Sequence, residues 1–327
     1  MKLILGFSIP LLFGNLFQQF YSMVDTMIVG RVLGTGPLAA VGSTGSITFL
    51  IIGFCLGLCS GFAIPVAQRF GSRDYKELRR FIGNAVWLCV GFGIVLTVLT
   101  VIFCRNILEF MDTPADIIDD AYAYLVVIFA GIPATFLYNM LAGIQRAIGD
   151  SRTPVVILVI ASIINIVLDI VLVVFIPMGV AGAAVATVAS QLIGGVVCLL
   201  YVSKHYEVLK MTREDFKINV PCIKRLLSMG LPMALQTSIT AIGSVILQAS
   251  VNSLGSTVVA SITAGSRLYM FFACAYDAMG LPCLHTAGRT SVRVKLTVLG
   301  RVSKPSNIVG IIYSVWHCSS SCPRQMD

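Results

Sequence analysis

The sequence predicts an all-α polytopic membrane protein, and three observations carry that prediction. The first is composition: of 327 residues, 57% are hydrophobic and 12% charged, with a mean hydropathy of +0.91. A soluble domain carries about 25% charge, and a soluble core of this size could not bury the surplus, so lipid must be the solvent. The second is that apolar runs recur at the length of a bilayer span. The third is that the basic residues gather in alternate loops.

Taking a span as roughly 20 apolar residues, the chain divides into eight: 3–28, 40–66, 82–104, 121–142, 154–176, 181–202, 224–250 and 258–281. A ninth starts near Ile308 and is not completed. The first has no small-residue cleavage site and reads as a retained helix, not a signal peptide. Gly53, Gly57, Gly61, Pro65, Pro133 and Pro232 interrupt the runs, as membrane helices tolerate, and glycine lets helices approach closely.

The loops 69–80, 142–153 and 203–225 hold thirteen Lys and Arg residues, against Arg31 and Arg105 in the intervening ones. This asymmetry places the basic loops and the N-terminus in the cytoplasm and the acidic 109–120 loop outside. The net charge of +8 is thereby a topology signal. No basic, aromatic-interleaved module suggests nucleic acid as a partner. Of ten cysteines, Cys55, Cys59, Cys89, Cys198 and Cys274 lie inside apolar runs, where they act as small hydrophobes and not as a disulfide framework. His205, His285 and His317 lie outside the eight spans. No metal or nucleophile constellation and no phosphate-cradling loop is present. The expectation is a non-enzyme without a cofactor, driven by an ion gradient.

SIPLLFGNLFQQFYSMVDTMIVGRVLG at 8–34 is repeated loosely by GLPMALQTSITAIGSVILQASVNSLG at 230–255, with Leu33-Gly34 matching Leu254-Gly255. Six spans separate the copies, so they run in the same direction, as a parallel repeat does. The expected organisation is a six-helix lobe over 1–202, a cytoplasmic linker at 203–220, the start of a second lobe at 221–281, and an anomalous tail at 282–327 with a partial ninth helix.

Within the spans, acids stand out. An ionised carboxylate in hydrocarbon costs several kcal/mol unless something pairs with it, and span one carries Asp25. Span five carries Asn165 and Asp169, four apart and so on one helix face. Thr187 lies about seven residues into span six from the outer side. At 1.5 Å per residue, Asp25, Asp169 and Thr187 sit at one depth, roughly 10–12 Å below the outer surface, with Asn165 one turn deeper. Two carboxylates, an amide oxygen and a hydroxyl suit a hard cation such as Na⁺; the two acids could equally share a proton. The alternative is that these groups only hydrogen-bond neighbouring helices, which Thr187 taken alone favours and the two acids do not. Gln18 and Gln19 in span one and Tyr124, Tyr138 and Asn139 in span four could line a cavity or bind helix to helix. Arg267 and Asp277 in span eight could pair or lie near the headgroups.

The stretches DTMIVGRVLGTGPLAAVG (25–42), GIQRAIGDSRTP (143–154) and NIVLDIVLVVFIPMGVAGAAVATVASQ (165–191) resemble the multidrug and toxic compound extrusion (MATE) family, over about the first 280 residues. The resemblance implies two six-helix lobes around a central cavity. It implies secondary active efflux of organic cations or amphipathic drugs, coupled to Na⁺ or H⁺ antiport by alternating access. It also assigns Asp25, Asn165, Asp169 and Thr187 to a cation site in the N-lobe, and Tyr124 and Asn139 to its cavity. The expected setting is the cell membrane, with lipid and a small-molecule substrate as partners and a monomer if complete. The stretches LPCLHTAGRTSVRVKLTVLGRVSKP and WHCSSSCPRQMD depart from the family. An altered reading frame or a truncated product is the expectation there, with about eight spans of an expected twelve. Flipping of lipid-linked precursors, which related two-lobe folds perform, is one alternative; a non-transporting fragment is the other.

Overall fold

The computed structural model describes residues 2–266, with side chains from residue 16 onward. Its elements follow one another as helices. α1 (Lys2–Ile28) runs into a π-helical turn, Val29–Leu33. α2 (Thr35–Ser43), α3 (Gly45–Gly71), α4 (Tyr75–Ile102) and α5 (Cys104–Phe110) follow. Next come α6 (Ile118–Ala130), α7 (Ile132–Ile148) and α8 (Arg152–Asp169), the last again continued by a π-helical turn, Ile170–Phe175. α9 (Val180–His205) and α10 (Val220–Asn252) follow. A further helix starts at residue 256 and is followed to residue 266.

Among the described residues, α3, α4, α8 with its π-turn, α9 and α10 are each long and apolar enough to cross a bilayer. α6 and α7 make a sixth span, bent by 47°, and α1 takes the place of the first. The first seven sequence-predicted spans are thus helical. Most of the eighth, with Arg267 and Asp277, lies outside the described residues, as do the 282–327 tail and its partial ninth helix.

Three spans differ from simple rods. The run at 40–66 is broken at Thr44, where the hydroxyls of Ser43 and Thr44 donate to the carbonyls of Ala40 and Val41 at 2.8 Å, competing with the helical ladder. The run at 121–142 bends at Gly131, just before Pro133, which has no N–H for the preceding turn. The run at 154–176 widens into its π-turn directly after Asp169.

α8 packs between α1 and α9; α7 packs on α3 and α9; α3 and α10 share the most extensive contact. That contact is close because it is made of small residues. A Cβ on Gly61 would lie 2.5 Å from the Cα of Gly230, and one on Gly57 would lie 2.6 Å from the Cα of Ala234. Close backbone approach of this kind holds helices together in lipid. On the opposite sides of the bundle, apolar stripes are exposed: Trp87, Val90, Ile94 and Val98 on α4, and Val156, Ile160, Ile163 and Val167 on α8. In water such stripes would be a liability; facing acyl chains they are the expected surface.

The two copies of the repeat end alike. Gly34 and Gly255 have φ of +97° and +92°, a region that glycine enters without strain, and a helix starts right after each. The polar segment between α9 and α10 is fastened to α4. Asn84 donates to Lys217 O at 3.3 Å and accepts from the Asn219 N–H at 2.8 Å. Trp87 Nε1 donates to Phe216 O at 2.9 Å. Asp215 accepts the N–H and hydroxyl of Thr212, each at 2.8 Å, and faces Arg79 Nε at 3.6 Å.

Candidate cation site

Asp25 lies one turn from the end of α1, and Asp169 is the last residue of α8 before its π-turn. α1 and α8 pack together, and the two π-turns that follow the acids touch each other. This brings the two carboxyls near enough to interact electrostatically. Both are buried: Asp25 is 8% exposed, Asp169 0% and Asn165, one turn below Asp169, 1%. Among the described residues, neither carboxyl oxygen of Asp169 accepts a hydrogen bond, and neither polar atom of Asn165 has a partner. Buried polar groups are nearly always satisfied, so such atoms ask for a ligand or water. Single π-turns concentrate at functional positions in helices, and here each follows an acid.

Thr187, half-buried on α9, stands on the helix packed against α8. Its carbonyl accepts the Ser190 hydroxyl at 2.9 Å. The carboxylate, amide and hydroxyl oxygens are the hard donors that Na⁺ takes, and the two orphaned oxygens of Asp169 fit either a cation or a shared proton.

The other sequence candidates separate. Tyr138 on α7 joins Asn165 in lining a cavity of about 20 Å³, with Tyr21, Ser162, Ser190 and Gln191; its hydroxyl donates to Pro154 O at 3.3 Å. Tyr124 is buried on α6. Asn139 donates to Thr135 O within its own helix at 2.8 Å, and Gln18 is exposed on α1. Sequence reasoning missed Ser162, Ser190, Gln191 and Tyr21 as site neighbours. A signal existed: Tyr21 precedes Asp25 by four residues and Ser162 precedes Asn165 by three, so each shares a face with a candidate ligand. A larger cleft, about 570 Å³, opens elsewhere, at the basic end where α3, α4 and α10 meet around Arg69, Phe81, Asn219 and Arg225.

The MatE family model matches residues 10–171, the stretch that contains both acids. The chain is 32% identical to the probable multidrug resistance protein YoeA of Bacillus subtilis, over 78% of this chain and 57% of that protein. These matches liken the chain to the MATE family. A second Bacillus subtilis relative, the probable multidrug resistance protein YpnP, is 30% identical over 82% of this chain and 60% of its own length. The chain therefore spans about three fifths of the length of these MATE relatives. Its fold is that of a solved outward-facing multidrug resistance MATE transporter, with a TM-score of 0.87 at 24% identity, covering 99% of this chain and 72% of that one. MATE proteins are multi-pass membrane transporters, in agreement with the apolar helices and their exposed stripes.

Proposed function

We propose that this chain carries the ion-coupled lobe of an efflux transporter that exports organic cations or amphipathic drugs in exchange for Na⁺ or H⁺. The observation that supports this most is the acid pair: Asp25 and Asp169 are both buried, on helices that pack together, and among the described residues neither oxygen of Asp169 has a hydrogen-bond partner. Two such carboxylates cannot both stay charged cheaply, so the site favours being loaded by a cation or a proton. Asn165 and Thr187 supply the neutral oxygens. Loading removes the repulsion between α1 and α8, and discharge restores it. A ligand that changes the relative stability of two packings in this way shifts their populations, and alternating access follows if the two packings open to opposite sides. The basic loops face the cytoplasm in this reading, with the N-terminus on the same side.

Reconstitution of the full-length protein in proteoliposomes tests it. Asp25→Asn and Asp169→Asn should each abolish efflux driven by a Na⁺ or pH gradient while expression and monodispersity are kept. Wild-type efflux in both variants would remove the acid pair from the mechanism. Titrating Na⁺ at several pH values names the ion.

A further inference from the structure

The cavity below the acid pair has the size and chemistry of a site for one water molecule. Its volume is about 20 Å³, and one water needs roughly 10–15 Å³ of such space together with two to four polar partners. The wall supplies them. Ser162 and Ser190 have already given their hydroxyl hydrogens to the carbonyls of Leu158 and Thr187, at 2.8 and 2.9 Å, and Tyr138 has given its own to Pro154. These three oxygens keep lone pairs to accept with. Gln191 accepts from Thr135 at 2.7 Å through Oε1, which leaves its NH₂ to donate. Asn165 is 1% exposed, has no hydrogen-bond partner on either polar atom among the described residues, and lines the same cavity. Such a mixture of acceptors and N–H donors suits water and repels a bare cation.

We propose that a single bound water in this cavity orients Asn165. This deepens the reading of Asp25 and Asp169 as an ion site and rests on it. The Asn165 NH₂ donates to the water, so its carbonyl faces the acid pair and is available to the cation. Without the water, nothing fixes the amide. The flipped amide would donate to the acids themselves and compete with the cation. Asn165 is thus a ligand whose presentation depends on Ser162, Ser190 and Gln191, which act as positioning residues.

The test uses the purified full-length protein and the pair Ser162→Val, which fills the cavity, and Ser162→Ala, which leaves it. A structure at a resolution that shows ordered water should place one between Asn165, Ser190 and Gln191 in the wild type and Ser162→Ala, and none in Ser162→Val. The half-saturating Na⁺ or H⁺ concentration for efflux should rise about tenfold in Ser162→Val, the equivalent of one lost hydrogen bond, with the maximal rate unchanged, and should rise clearly less in Ser162→Ala, which loses one acceptor but keeps the space for the water. Ser190→Val, which fills the cavity from α9, should repeat the Ser162→Val result if that variant does not fold. A dry cavity in the wild type overturns the proposal, as does unchanged ion affinity in both filled variants. Efflux that survives Asp169→Asn would instead sink the ion site itself, and the density would still decide the water.

Discussion

At the scale of single residues, Asp150 shows how one side chain sets a helix start. Its Oδ1 accepts the N–H groups of Arg152 and Thr153 at 3.0 and 3.1 Å, and its Oδ2 accepts the Tyr206 hydroxyl. Burial alone would raise this carboxyl, but the hydrogen bonds from Thr153, Tyr206 and Arg152 outweigh it and hold the group below its ordinary value. A carboxyl lowered in the folded state adds stability above its unfolded pKa, and that stability is lost as pH falls through the folded value. Asp150→Asn keeps the Oδ1 acceptor but loses the charge and the Oδ2 acceptor for Tyr206, and should therefore cost about 1 kcal/mol, the scale of one lost hydrogen bond. The gap in Tm between variant and wild type should be full at neutral pH and close in acid below the ordinary carboxylate range; thermal unfolding in detergent reads it. At this scale the sequence was partly legible. Asp25 and Asp169 announce themselves because a charge in an apolar run needs a reason, and Asn165 follows by helical spacing. Ser162, Ser190 and Gln191 did not. A hydroxyl in a membrane helix usually bonds its own backbone, as Ser162 and Ser190 do, and nothing in one strand of text says which neighbouring helix the other lone pairs meet.

At the scale of elements, glycine separates into two kinds. Gly61 faces the backbone of α10, while a Cβ on Gly91 in α4 would meet nothing within 4 Å. Gly61→Ala should lower the Tm of the purified protein, because backbone must move to admit the methyl group. Gly91→Ala should leave it unchanged or raise it, by up to about 1 kcal/mol of helix propensity. Equal effects from the two would remove the α3–α10 crossing as a source of stability. The spans themselves were legible, since hydrocarbon thickness demands long apolar runs whatever the tertiary packing. The interruptions were not: Thr44 and Gly131 are small, span-compatible residues, and only hydroxyl-to-carbonyl bonds in one case and a following proline in the other break the rod. The π-turns were equally hidden, because widening a turn by one residue leaves an apolar run apolar.

At the scale of the molecule, the connection between α9 and α10 is held down. Asn84 and Trp87 each bond its backbone, and Arg79 faces Asp215. Burial would raise the Asp215 carboxyl, but the Thr212 hydrogen bonds and the nearby Arg79 and Arg80 charges keep it lowered and so ionised. Asn84→Ala removes two of these fastenings. Trypsin should then cut at Lys210, Arg213 or Lys217 several-fold faster, since cleavage tracks the population of the released segment; an unchanged rate would show that Asn84 does not hold it. The sequence marked this segment as the long polar linker of the chain, but its anchorage lies between residues more than a hundred positions apart.

That anchorage has a mechanical consequence. A linker clipped to α4 has no slack to give when the parts it joins move, so any tilt must be taken up inside α10. Its weakest rung is at Pro232, which cannot donate to the carbonyl of Ser228. Gly230, two residues away, is where α10 bears on Gly61 of α3. The clamp at 215–219 thus comes just before α10, and the bearing point and flexure lie within its first four turns, so α10 is set as a short lever with its fulcrum on α3.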